Sequence, residues 1–388
     1  MGCATGAALL ASVGTFTETA LAGRERRGSA RPHVLRDASL AAPAASDRQH
    51  CRTLGEPKLA VVAMKRLLKN LLQSATASIA PLRWAARSGP ELLILMYHRV
   101  LPPLHPARET EQAGMYVSPE TLAMHVEVLT KYFTLVHLDD WLRNVDAGRT
   151  PPKNSCAITF DDGWRDNYEF AYPILRQAQA PSTIYLVSDL VGTRYSFWPN
   201  TLSLILSGGK REHWDRLPSW LRDLLPSIRK MSKDEIDAVI ARCKRFSDEQ
   251  MKSAVEHAVG DSGERDLITW DEAREMQSSG VIRFGSHTRR HTRLSQITDA
   301  AQLHDEIAES RSIIRKELGC EVATFCYPNG ETSTAAIRVV SETYLGAVTT
   351  NRGSNTPRSA RFTLNRVGVH EDVSNTSTSF VSRLAGVG

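Results

Sequence analysis

No two cysteines stand at CxxC spacing: the six present, Cys3, Cys51, Cys156, Cys243, Cys320 and Cys326, are dispersed through 388 residues. That scatter excludes zinc-finger and dithiol redox chemistry and gives no disulfide framework. Long apolar runs are missing too. Nothing approaches the roughly 20 residues a helix needs to cross a bilayer, so no transmembrane span is expected. An excess of one sign of charge is missing as well. With a formal net charge of +5, basic residues scattered rather than striped, and no basic patch interleaved with aromatics, a nucleic-acid partner is not expected. What is present is an ordinary globular composition, 41% hydrophobic and 23% charged, long enough for one large catalytic domain with appendages.

The first roughly sixty residues are rich in Ala, Arg, Ser and Gly without sustained periodicity, which predicts a disordered tail. Ala20-Leu21-Ala22 resembles a secretory cleavage site. No basic segment precedes it, however, and Thr15, Thr17 and Glu18 interrupt the apolar part, so a cytoplasmic protein is favoured over an exported one. From Lys58 to Leu82, Val61, Met64, Leu67, Leu68, Leu71 and Leu72 fall on one helical face, with Lys65, Arg66 and Lys69 elsewhere. An amphipathic helix capping the main domain is expected, with membrane-surface contact as the alternative. Residues 1–90 are thus read as tail and helix, and 91–388 as the catalytic domain.

From residue 91 apolar, β-rich runs alternate with helical segments, the pattern of an α/β fold. Strands are predicted at Leu92 to Tyr97, Thr134 to Leu138, Ser155 to Phe160, Thr183 to Val187, Ile282 to Gly285, Ala323 to Tyr327, Ala347 to Thr350 and Phe362 to Val369. Helices are predicted over Pro119 to Lys131, Asn167 to Ala178, Trp270 to Ser279 and Ala301 to Leu318. A (β/α) barrel of about seven to eight strands accommodates them. The interval from about 196 to 265 breaks the alternation and reads as a helical insertion. Its Trp198, Trp214 and Trp220 have the chemistry to line a glycan groove, but aromatics at helical spacing are expected to bury themselves.

Chemistry collects at strand tips. Asp161 and Asp162 follow the run Cys156-Ala157-Ile158-Thr159-Phe160 and precede Gly163, and two acids sharing one spot repel unless a cation sits between them. In Gly285-Ser286-His287-Thr288-Arg289-Arg290-His291 two imidazoles stand four residues apart, a spacing that places both on one face of a helical turn. Zn²⁺ accepts two imidazoles and one carboxylate at about 2.0 to 2.2 Å and keeps a position open for water, leaving the second aspartate to act as base. Co²⁺, Ni²⁺ or Mn²⁺ would satisfy similar ligands. His98 ends the first predicted strand and Tyr327-Pro328-Asn329-Gly330 the sixth, so the polar candidates share the barrel face where such folds keep their chemistry.

The motifs TFDDG (Thr159 to Gly163), GSHTRRH (Gly285 to His291) and FCYPNG (Phe325 to Gly330), with LMYHRV near the start, resemble the ordered motifs of polysaccharide deacetylases, the carbohydrate esterase group homologous to the nodulation chitooligosaccharide deacetylase. The resemblance runs from about Leu92 to His370. It implies a distorted (β/α) barrel and metal-dependent removal of N-acetyl groups from glucosamine-type units of an acetylated glycan, with Asp161 as general base and Asp162, His287 and His291 as metal ligands. Tyr327, Pro328 and Asn329 would form the substrate side, the Asn329 N–H standing where an oxyanion-hole donor belongs.

One departure stands out. Where the family's third motif carries an arginine that orients the base, this sequence has Cys326. It resembles a subgroup with Phe-x-Tyr-Pro at that motif and an N-terminal Tyr-His, in which the general acid is the histidine here numbered His98. His370, after Arg366-Val367-Gly368-Val369, is the competing acid, and Arg366 is the candidate to replace the missing arginine. Nearby carboxylates are expected to raise the pKa of His98. An O-acetyl esterase or other amidase, or an inactive carbohydrate-binding homologue, is the alternative reading.

Overall fold

A strand buried on both faces reads as a nearly unbroken apolar run, and Leu92 to Leu95 and Cys156 to Phe160 have that character. In the computed structural model, which describes residues 56–225, 227–259 and 265–387, they lie in β1 (Glu91–Tyr97) and β2 (Asn154–Phe160). The two pair in parallel along their whole length. Next around the sheet from β2 come β3 (Ser182–Leu186), β4 (Ile282–Ser286), β5 (Thr324–Cys326), β6 (Gly346–Arg352) and β7 (Leu364–Gly368), all parallel. The ring closes when β7 returns to β1, setting Leu95 beside Val367 and Met96 beside Gly368. The fold is therefore a closed parallel barrel of seven strands, with Thr134–Leu135 attached outside it to β2.

It is distorted in two places. β4 and β5 share a single residue pair, and the register of β6 against β7 slips between Leu364 and Arg366.

Alternation along each strand divides the apolar residues between two environments. One set, including Leu92 and Ile94 of β1, Ala157 of β2, Tyr185 of β3, Cys326 of β5, Val348 of β6 and Leu364 of β7, forms one cluster inside the barrel. The alternate set, including Leu93, Leu95, Cys156, Ile158, Ile184 and Phe284, packs in the larger core beneath the helices. Trp141 and Leu142 close the N-terminal end of the barrel, where a Cβ on Gly346 would lie 2.7 Å from Leu142.

That plug corrects the strand predicted from Thr134 to Leu138. Only Thr134–Leu135 pair as a strand, and Leu138 begins the helix Leu138–Asp146. Asp139 and Asp140 suit the positive end of a helix dipole, and Leu138, Trp141 and Leu142 make one buried face.

Between β3 and β4 lie the helices Trp198–Gly208, Arg211–Arg216, Ser219–Arg222, Lys233–Cys243 and Asp248–Glu256. They bury their own apolar cluster, with Leu202, Leu206, Leu221, Ile240 and Met251 at its centre. Trp214 and Trp220 pack against that cluster, as aromatics at helical spacing are expected to do.

Ala60–Gly388 is one unit of the chain; of the other, Met1–Leu59, only residues from Glu56 on are described. The expected tail, with Ala20-Leu21-Ala22, lies outside the described residues. The helix Glu56–Ala85 sets Ala80 and Trp84 into the outer core, where Trp84 meets Phe133 at 4.8 Å between ring centroids. No helix among the described residues is long and apolar enough to cross a membrane.

Candidate active site

Strand parity decides which side chains reach the mouth of the barrel. The inward series 92, 94, 96 leads to His98; 157 and 159 lead to Asp161; 285 leads to His287; and 364 leads to Arg366. Gly285 belongs to this inward series, and a Cβ there would lie 2.4 Å from the Tyr185 ring. His98, Asp161, Asp162, His287, His291 and Asn329 all line one cavity of about 270 Å³ at the C-terminal ends of the strands.

Asp161 is gripped by Arg366. Nη1 donates to Oδ1 and Nη2 to Oδ2, each at 2.7 Å, while Nε donates to the Thr349 carbonyl at 2.8 Å. Arg366 is wholly buried, and its Nη2 lies 3.2 Å from Cys326 Sγ. The small thiol therefore leaves room for a guanidinium arriving from β7. Burial alone would raise the Asp161 carboxyl, but the Arg366 charge and hydrogen bonds hold it below the usual carboxylate range.

Asp162 faces the other way. Its Oδ2 accepts from Trp164 Nε1 at 2.9 Å, but its buried Oδ1 has no hydrogen-bond partner. His287 Nε2 lies 3.4 Å and His291 Nε2 3.3 Å from that oxygen. His287 donates through Nδ1 to the Cys326 carbonyl at 2.8 Å, so its Nε2 presents a lone pair. A buried carboxylate oxygen facing two imidazole nitrogens offers the donor set of a divalent-cation site. The three ligand atoms lie within 4.8 Å of one another.

The histidine pair corrects one expectation. It is carried by a loop after β4 rather than by a helical turn, with φ of 68° at Thr288 and 63° at His291. The rings meet edge to face at 4.9 Å. Asp162 and Asn329 also have positive φ, 73° and 54°, so four of the five described non-glycine residues in that region belong to these motifs. Strain of this kind persists where surrounding structure over-determines the backbone, and it concentrates at working sites. Gly330 has φ 71°, and a Cβ there would fall 2.1 Å from Thr350 Oγ1.

The two candidate acids separate. His98 Nε2 stands 3.8 Å from Asp161 Oδ2. His370 pairs with the Asp372 carboxylate and is not among the residues lining the cavity. The expected rise in the His98 pKa is not found: burial lowers it, outweighing Asp161 and Asp162, and Arg366 adds to the lowering. Of the third motif only Asn329 reaches the cavity. Tyr327 has the opposite parity to Cys326, so its ring turns into the outer core against Phe325, and Pro328 is buried beside it.

Several residues at the cavity have no counterpart in the sequence expectations. Trp164 and Glu111 line it, and both are held from behind by Arg99, which covers the Trp164 ring at 4.1 Å and binds Glu111 at 2.9 Å and Asp166 at 2.8 Å. The insertion contributes Asn200, whose Nδ2 donates to Glu111 at 2.7 Å, and Trp198, whose Nε1 donates to Asp248 at 2.9 Å. Trp198 thus differs from Trp214 and Trp220 in lining the cavity as well as packing, the one of the three insertion tryptophans that reaches a groove. Trp164, beside Gly163 in the first motif, was also open to detection, whereas Glu111 and Asn200 join only through tertiary folding.

Residues 148–348, a little over half of the chain, match the polysaccharide deacetylase family. YxkH of Bacillus subtilis (strain 168), which carries a provisional polysaccharide deacetylase name, is 20% identical over 298 residues, covering 76% of this chain and 77% of its own. Among solved structures, the Streptococcus pyogenes deacetylase PplD, determined with acetate, has a TM-score of 0.52 at 19% identity over 77% of this chain and 99% of its own. IcaB from Ammonifex degensii has a TM-score of 0.51 at 17% identity, over 76% and 98%. These two share the fold. On the family match, and with the barrel and its motifs in place, the chain belongs to the polysaccharide deacetylase family.

Proposed function

We propose that the protein is a metal-dependent hydrolase that removes N-acetyl groups from glucosamine-type units of a glycan. One observation carries this reading: a carboxylate fixed by Arg366 stands next to a second carboxylate whose unpartnered oxygen faces two imidazole nitrogens. Asp162, His287 and His291 would hold the cation, with Zn²⁺ the best match to two nitrogens and one oxygen. When bound, it supplies Lewis acidity that polarises the acetyl carbonyl and makes a water easier to deprotonate.

The chain's own groups do the rest. Asp161 takes the proton from the attacking water, and Arg366 keeps its carboxylate ionised and aimed. That proton passes to His98, neutral at rest in its buried setting, once Nε2, 3.8 Å from Asp161 Oδ2 in this structure, closes to hydrogen-bond distance, and His98 delivers it to the nitrogen as the C–N bond breaks. One water is consumed, one amine and one acetic acid are formed, and Asp161 and His98 end as they began. Asn329 and its left-handed loop line the side where the carbonyl oxygen would gather charge.

The test is acetate release by metal-supplemented protein across chitooligosaccharides, poly-N-acetylglucosamine, peptidoglycan fragments and acetylxylan. Turnover on the N-acetylated glycans is the expected result. Activity confined to acetylxylan would make the protein an O-acetyl esterase, and no turnover on any of them would favour a binding protein.

A further inference from the structure

The helix Glu56–Ala85 has two apolar faces where a cap needs one. Ala80 and Trp84, 1% and 3% exposed, turn into the core. At about 100° per residue, Met64, Leu68, Leu71 and Leu82 fall on nearly the opposite side, with Leu72 and Ile79 on its flank. They are 53% to 71% exposed. Of the ten large apolar side chains exposed among the described residues, seven belong to this helix. A patch so concentrated marks a surface that meets something.

Charge identifies the partner. Lys65, Lys69 and Arg83, all exposed, run along one edge of the stripe. The helix carries five basic residues and one acid, Glu56. An apolar stripe rimmed by Lys and Arg on a helix of low mean hydropathy lies in the plane of an anionic bilayer, with apolar side chains among the acyl chains and ammonium groups at the phosphates. An anionic headgroup layer meets the whole length of such a rim with continuous negative charge, which favours lipid as the occupant. We propose that this helix docks the protein on an anionic lipid surface, independently of the chemistry at the barrel mouth.

The experiment is sedimentation of the full chain with vesicles of mixed phosphatidylglycerol and phosphatidylcholine, and with phosphatidylcholine alone. Binding at least tenfold tighter to the anionic vesicles, weakened by high salt, is expected. Leu68→Glu/Leu71→Glu should abolish it. Lys65→Glu/Lys69→Glu, which keeps the apolar stripe, should weaken it by about tenfold or more. Melting curves matching the unaltered protein exclude misfolding, since these side chains make no core contacts. Failure to sediment with either vesicle overturns the proposal. So does sedimentation velocity showing self-association that the leucine variant alone abolishes, or cross-links showing that residues 1–55 cover the stripe.

Discussion

Arg366 and Asp161, 205 residues apart in sequence, meet through two parallel hydrogen bonds of 2.7 Å inside the barrel. Removing one partner of such a buried pair strands the other charge. Arg366→Met is expected to destabilise the protein by about 3 kcal/mol or more and to abolish turnover. The double variant Arg366→Met/Asp161→Asn should recover most of the stability and none of the activity. Denaturant melts and acetate assays on the single and double variants check both halves.

Asp162→Ala, His287→Ala and His291→Ala should each lose bound metal, read by elemental analysis. Asp161→Asn should keep the metal and lose about 10²–10⁴ in turnover, because it removes a base rather than a ligand. Trp164→Phe deletes the hydrogen bond that turns Asp162 Oδ1 toward the histidines and should weaken metal affinity by about 10- to 100-fold. Full occupancy in a variant lacking both histidines would refute the ligand set.

A proton donor matters most when the leaving group is poor. His98→Ala should therefore suppress release of acetate from N-acetyl sugars by about 10²-fold or more, retain metal, and partly spare an activated acetyl ester. His370→Ala, remote from the cavity, should change little. Steady-state rates on both substrates distinguish them, and the reverse pattern would move the acid to His370.

Stability should fall in mild acid because of His125. Fully buried and stacked on Phe380 at 3.7 Å, it donates from Nε2 to the Ser374 carbonyl and accepts from the Tyr97 hydroxyl. Burial lowers its pKa from 6.5 to about 4. The unfolded chain therefore takes up this proton first, and the contribution is complete above pH 6.5 and is lost as pH falls toward 4. The amount at stake is on the order of 3 kcal/mol. Chemical denaturation across that range should show the slope, and His125→Gln should flatten it.

The barrel was legible because its strands are buried on both faces and so announce themselves as apolar runs, each ending in a polar residue worth noticing. The metal-ligand candidates were legible for the same reason. What sequence hid depends on closure or on local backbone. Arg366 could be named as the candidate arginine, but its bidentate grip on Asp161 exists only once parity and the β1–β7 pairing turn it inward. His287 and His291 have helical spacing, yet left-handed residues at Thr288 and His291 bring the rings together from a loop. Leu138 looked like the end of a strand because nothing local reveals that the barrel floor needs Trp141 and Leu142. Tyr327 looked like a site residue because its neighbours are, though a shift of one position along a strand reverses direction.

The β1–β7 seam has a consequence for how the molecule comes into being. His98 follows the first barrel strand, Arg366 lies in the last, and the strands bearing them join through only two residue pairs. A ribosome releases Arg366 only after Asp161, Asp162, His287 and His291 have emerged. Until then Asp161 has no guanidinium beside it, and a nascent or clipped chain lacking β7 would hold the histidine cluster and both aspartates yet leave the base unguided. The seam that closes the barrel is thus also the seam that completes the site.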